Sequence, residues 1–204
     1  YITSVLAGCI AAGWQGPVFV QGDHYQFNAA KYKADPEAVT ETLRKATLNA
    51  MQVGYGNIDI DSSTLVDLSF ESLDEQQKVN YTRAAELSAL IRANEDEGIV
   101  ISIGGEIGEV GKQNSNEAEL RAYLDGYNAE LQKRAPGAEG LSKVSVQTGT
   151  SHGGVPLPGG GVAVIRAATK VLNSVRKKSD NEDQQVGVDI VRRAVEAPIK
   201  QIAD

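Results

Sequence analysis

The stretch IVISIGGEIGEVG, residues 99–111, decides how the chain is read. It is an apolar, β-branched run that stops in glycines and carries Glu106 into a glycine-rich loop, which reads as a strand running into its exit loop. Three further segments have the same build. PVFVQGDHY (17–25) is a short apolar strand ending on polar residues, NIDIDSS (57–63) ends on carboxylate and hydroxyls, and KVSVQTGTSHGG (143–154) ends on a histidine. Helical patterns fill the intervals. Asp35-Pro36 supplies an N-cap and a first-turn proline; Val39, Leu43, Ala46, Ala50 and Val53 then form one face, stopped by Gly54. SLDE (72–75) is a capping box opening a long helix through Ile91, closed by Gly98. A second capping box is read from Asn114 to Glu117, followed by a face of Leu120, Leu124, Tyr127 and Leu131 that ends at Pro136-Gly137. Before the first strand, Ala7, Ile10 and Ala11 fall at helical spacing, with Gly13 and Pro17 closing an amphipathic helix.

Strands that alternate with helices argue a parallel sheet with helical crossovers. Reactive groups at the C-terminal ends of successive strands are the habit of the (β/α)8 barrel, which needs about 250 residues and eight such units. Four are visible here. A doubly wound sheet is the alternative, but no G-x-G-x-x-G follows a first strand. The expected fold class is therefore α/β, a partial TIM (β/α)8 barrel of about four βα units followed by two C-terminal α-helices. After Pro158 the rhythm stops. Val162, Ile165, Ala168, Val171, Leu172 and Val175 form one helical face, with Arg176, Lys177 and Lys178 at the end that favours cations. SDNEDQQ (179–185) is a turn, and Val188, Val191, Val195, Ile199 and Ile202 make a second face, with Pro198 kinking or ending it.

Composition narrows the function classes. The chain has 204 residues, 41% hydrophobic and 23% charged, as an ordinary soluble globular protein has. Its formal net charge of -7 argues against nucleic acid, and no apolar run approaches the roughly 20 residues of a membrane span. The N-terminal apolar segment lacks the basic region of a signal peptide. Cys9 is the single cysteine, so no disulfide framework or cysteine zinc site is expected, and a cytoplasmic location is the default. The sequence leaves a homo-oligomeric state open.

The chain's two histidines, His24 and His152, each close a strand. Asp23 stands beside His24, Asp61 ends the second strand and Glu106 sits in the third strand's loop. In a barrel these groups converge over the C-terminal mouth, where imidazoles with carboxylates suit zinc or another divalent transition metal.

GDHYQF (22–27), GGEIGEVG (104–111) and SVQTGTSHGG (145–154), in that order and spacing, resemble the class II (metal-dependent) aldolases. SLDEQQ after DSSTLVDLS also looks like that family's pattern. The resemblance covers residues 1–158 and implies a (β/α)8 barrel that cleaves a ketose phosphate such as fructose 1,6-bisphosphate to dihydroxyacetone phosphate and an aldehyde. It implies that His24 and His152 bind the catalytic zinc and that Asp23 is the general acid/base at the ketose hydroxyl. Glu106 and Asp61 resemble the carboxylates of a neighbouring metal position, with Asp67 a weaker match, and Gly153 would bind substrate through its backbone. Zinc in that family polarises the ketone. Departures are clear: the family's third zinc histidine has no counterpart, strands one, two, seven and eight are missing, and its mobile-loop glutamate aligns with Gln113 or Asn114. The expected site is therefore incomplete in this chain, with weak zinc binding and little or no aldol cleavage; a non-catalytic interaction or regulatory relative of the aldolases is the alternative.

Residues 159–204 are similar to a different family. PGGGVAVIRAATKVL and NEDQQVGVDIVRRAVEAPIKQIAD resemble part of the ATP-binding equatorial domain of the group I chaperonins. That resemblance implicates Gly160 in nucleotide contact, although three glycines before a helix equally make a plain turn. The chain thus reads as a chimera or fragment with its seam between Pro156 and Gly161.

Overall fold

The structure, a computed structural model, describes residues 1–108, 114–147 and positions 185, 186, 188, 189 and 191. Two compact units divide it: Tyr1–Gly108 with Glu117–Ser145, and Glu109–Asn116 with Val146–Asp204.

The first unit is a mixed α/β fold. Its strands β1 (Gln21–Gln26), β2 (Asn57–Asp61), β3 (Ser102–Glu106) and β4 (Lys143–Ser145) form one four-stranded sheet in the order β1-β2-β3-β4, every pair parallel. Helices α1 (Ile2–Ala11), α2 (Ala29–Ala34), α3 (Pro36–Gln52), α4 (Leu73–Ala93) and α5 (Glu117–Arg134) accompany it, and a 3-10 turn (Ser63–Leu65) follows β2. No helix among the described residues is long and apolar enough to cross a membrane.

Caps set the helix starts. The Asp35 carboxylate accepts the Ala38 N–H at 3.0 Å, and Pro36 begins α3. Ser72 Oγ accepts the Glu75 N–H at 3.2 Å to begin α4, while the Ser72 hydroxyl donates to Glu75 Oε2 at 2.7 Å. Gly54, in the left-handed region at φ 86°, follows α3 as its stop.

Several elements differ from expectation. The first strand begins at Gln21 and not at Pro17; Phe19, though apolar, is exposed. Helix α2 was not expected; the Asn28 side chain caps it by accepting the Lys31 N–H. Helix α5 begins at Glu117, so Asn114 is not its cap; nearby, Ser115 exchanges hydrogen bonds with Gln147 (2.8 and 3.0 Å). Helix α1 buries no residue at all, and Ile10 is exposed, so its apolar side does not pack as an amphipathic face should. Residues 185, 186, 188, 189 and 191 are helical, and the rest of the two expected tail helices lies outside the described residues.

The strands have two unlike faces. Register pairs Gly22 with Ile58, Ile58 with Ile103, Tyr25 with Ile60 and Gly105 with Val144. This is the apolar face: Ile58, Ile60 and Ile103 are buried in one cluster with Ala84, Leu87 and Ile91 of α4 and Tyr123, Tyr127 and Leu131 of α5. Each fully buried aliphatic side chain contributes about 1.5–3 kcal/mol, so this cluster holds the unit together. On the opposite face, register aligns Asp59, Gly104 and Lys143. Lys143 reaches across Gly104 to Asp59 Oδ1 (3.0 Å) and to Gln21 Oε1 (2.9 Å). A Cβ on Gly104 would lie 2.1 Å from Asp59 Oδ1, so the bare backbone leaves room for that ion pair.

Two contacts fix the helices. Arg92, nearly buried at the end of α4, pairs with Glu95 and donates to Ile101 O (2.8 Å), Glu139 O (2.9 Å) and Gly140 O (3.2 Å). It ties the entrances of β3 and β4 to α4. Helices α4 and α5 meet where the Tyr81 ring lies over Gly126, where an added Cβ would come within 2.4 Å of Tyr81 Cε1.

Two predictions follow from this packing. Gly126→Ala should gain about 1 kcal/mol of helix propensity, yet overpacking against the Tyr81 ring costs about 1–3 kcal/mol. A lower urea midpoint is therefore expected, and a higher one would show that the ring yields. Burial, with Asp74 bonded to its hydroxyl, pushes Tyr81 up to about 12, and burial also raises Tyr25, Tyr123 and Tyr127. The fold favours the neutral phenols, so their contribution is complete below the unfolded tyrosine value of about 10 and is lost as pH rises through the folded values. Absorbance at 295 nm should show part of the tyrosinate signal appearing only as the protein unfolds in alkali.

Candidate metal centre

The parallel strands all end on the same side, and the polar face alternates to its last residue. Asp59 and Asp61 stand on it from β2, Gly104 and Glu106 from β3. At the ends of β2 and β3 this alternation delivers two carboxylates.

Strand β1 reaches the same place by a different device. Gly22 pairs with Ile58 and Tyr25 with Ile60, so two residues, Asp23 and His24, stand opposite Asp59 alone. This is a β-bulge, which re-aims side chains and commonly sits beside functional sites. His24 takes φ 51°, the one non-glycine residue with positive φ among those described. Such backbone is uncommon for a residue with a Cβ and is held only where the surroundings over-determine it.

Ligand atoms of His24, Asp61 and Glu106 all lie within 4.8 Å of one another. His24 is exposed, Glu106 half-buried and Asp61 only 1% exposed. Asp61 is held by its neighbours: Gln26 Nε2 donates to Oδ2 at 2.5 Å, while the Ser63 hydroxyl and N–H donate to Oδ1 at 2.6 and 3.1 Å. The Phe27 N–H donates to Asp61 O at 2.9 Å, locking the end of β1 onto β2. Two carboxylates so close repel each other, and a cation bound between them would offset that repulsion. One nitrogen and two oxygen donors form a set that suits zinc and other divalent transition ions. The residues present therefore fit such an ion.

Asp23 lies beside this group without joining it. Its carboxylate is exposed, and Oδ1 accepts the His24 N–H at 3.1 Å. Asp67 is placed elsewhere: it sits in an exposed turn where Ser69 donates to its carboxylate at 2.9 Å and lowers its pKa. His152 and Gly153, expected in the site, and Gly160, expected at a nucleotide, lie outside the described residues. Gln26 and Ser63 were not singled out in the sequence. Their signal was position alone, one just after the DH pair and the other two residues beyond Asp61.

No family model matches the chain, and no solved structure matches it.

Titration with zinc, read by competition with a chelating dye, should give weaker binding for His24→Ala, Asp61→Asn and Glu106→Gln. Each loss should be at least the roughly 10–100-fold typical of an outer-shell residue. Asp67→Asn should bind as wild type does. Equal affinity in all five proteins would remove the metal centre.

Proposed function

We propose that the chain is a metal-dependent aldolase of the class II type, built on a segment of a (β/α)8 barrel. Its reaction is the reversible cleavage of a ketose phosphate, such as fructose 1,6-bisphosphate, to dihydroxyacetone phosphate and an aldehyde. One observation carries this reading: the approach of His24, Asp61 and Glu106 to within 4.8 Å of one another at the C-terminal ends of three adjacent parallel strands. The sequence pattern around each of them supports it, because the three occur in the motif order that resembles that family.

His24, Asp61 and Glu106 would hold the ion, zinc or another divalent transition metal. When bound, the metal supplies Lewis acidity toward a substrate carbonyl. Asp61 and Glu106 place negative charge there, and Gln26 and Ser63 keep the Asp61 carboxylate from turning. Asp23 is the group for proton transfer. Its carboxylate is solvent-accessible, next to a ligand and oriented by the His24 N–H, so it can take the proton of a substrate hydroxyl as the carbon–carbon bond breaks and return it in the reverse direction.

Coupled detection of dihydroxyacetone phosphate should reveal at most slow cleavage of a ketose phosphate, as a site lacking the family's third histidine allows, and a chelator should abolish it while added zinc or cobalt restores it. Asp23→Ala should lower kcat by about 10²–10⁴-fold while leaving zinc affinity close to wild type. Metal binding with no cleavage of any ketose phosphate tested would replace the enzyme by a non-catalytic, metal-binding relative.

A further inference from the structure

We infer that Asn80 and Gln77, one turn apart on α4, are positioning residues for the metal centre, acting through the main chain that carries Glu106 and through Ser62 beside Asp61. The inference rests on His24, Asp61 and Glu106 being metal ligands.

Both amides are buried, Asn80 at 0% and Gln77 at 1% exposure. Residues three apart on a helix share a face, and this face meets the ends of β2 and β3. Asn80 Nδ2 donates to Glu106 O at 2.9 Å and to Gln77 Oε1 at 2.9 Å. Gln77 Nε2 donates to Ile107 O at 3.0 Å. Ser62 Oγ lies 2.7 Å from Asn80 Oδ1 and 2.9 Å from Asn80 O, so its one proton is shared between them. The carbonyl of Glu106 and that of the next residue are thus both gripped from α4. The residue after Asp61 is gripped by the same amide.

A buried amide carries a desolvation cost unless it is satisfied, and a half-satisfied network is worse than an apolar contact. A helix that only packed here would present leucine to its strands, as α4 does at Leu87, which is buried. The amides instead spend their donors on the two carbonyls that follow the β3 glycines Gly104 and Gly105. The exit of β3 is bonded to β4 through the Ile107 N–H and Ser145 O (3.2 Å), and the amides add a second hold from the helix side. The network carries no ionisable group, so it sets geometry without changing the charge of the centre. Outer-shell hydrogen bonds of this kind orient ligands and typically carry about 10–100-fold in metal affinity.

The test is titration of the chain with cobalt, following the visible absorption of the bound ion, and with zinc by dye competition. Asn80→Leu and the milder Gln77→Met should each weaken binding by about 10–100-fold and alter the cobalt spectrum, while far-UV circular dichroism shows a folded protein. In a Glu106→Ala background Gln77→Met should have little further effect, because the residue it positions is gone, whereas Asn80→Leu should keep only the part that acts through Ser62 and Asp61. Folded variants with wild-type affinity and an unchanged cobalt spectrum would overturn the inference. So would unfolding of both variants, which would make the network a plain structural one. Failure of the wild-type chain to bind either metal would instead remove the metal centre itself, an outcome read without any Asn80 or Gln77 variant.

Discussion

A carboxylate with 1% exposure has to be surrounded by donors, and Asp61 sets the terms on which this sheet ends. An ionised group taken from water without partners costs far more than a packing contact returns. Gln26 meets it from β1, and Ser63 meets it twice from the turn that follows β2. Each donor constrains something larger. The Gln26 bond fixes the register of the β1 end, and the Ser63 bonds tighten the chain so that Ser62 faces Asn80 on α4. From Asn80 the chain of contacts runs on to Glu106. One buried charge therefore couples the exits of three strands to a single helix.

The division of the sheet into an apolar and a polar face explains why these groups gather. Parallel sheets are usually covered on both sides and read as continuous apolar runs. Here β2 reads N-I-D-I-D, and only its isoleucines enter the helix-packed core. The Lys143–Asp59 pair on the other face is partly solvent-exposed, and such pairs contribute only about 0–1 kcal/mol. That is small beside the isoleucine cluster. Burial on the helix side holds the sheet; the polar row decides which side chains share a face and so which carboxylates arrive together.

Much of this was legible in the sequence. Asp35-Pro36 and SLDE announced two helices because capping is local chemistry, and both caps form. Asp61 was legible as a strand-end residue and does end β2; His24, read as closing its strand, lies inside β1, and Glu106, read as lying in the loop, is the last residue of β3. What could not be read was non-local. Phe19 is as apolar as a core residue and Ile10 sits at helical spacing, yet both are exposed. Periodicity reports the pattern of a segment and not what lies opposite it. The bulge at Asp23-His24 was equally hidden, because it exists only relative to the register of β2. The amides Asn80 and Gln77 looked like ordinary polar positions on a helix until their partners, two main-chain carbonyls on a distant strand, were in place.

The bulge also limits how this sequence can vary. A pleated strand has two phases, inward and outward, and an extra residue switches one to the other. Substituting Asp23 or His24 changes a side chain and leaves the phase intact. Deleting either would put the remaining residue opposite Asp59 with no surplus; Gly22 would still face Ile58 and Tyr25 would still face Ile60, but the bulge that turns the backbone at His24 would be lost. The strand therefore tolerates changes of letter here more readily than a change of count. Its length between Gly22 and Tyr25 is as much a part of the site as the imidazole itself.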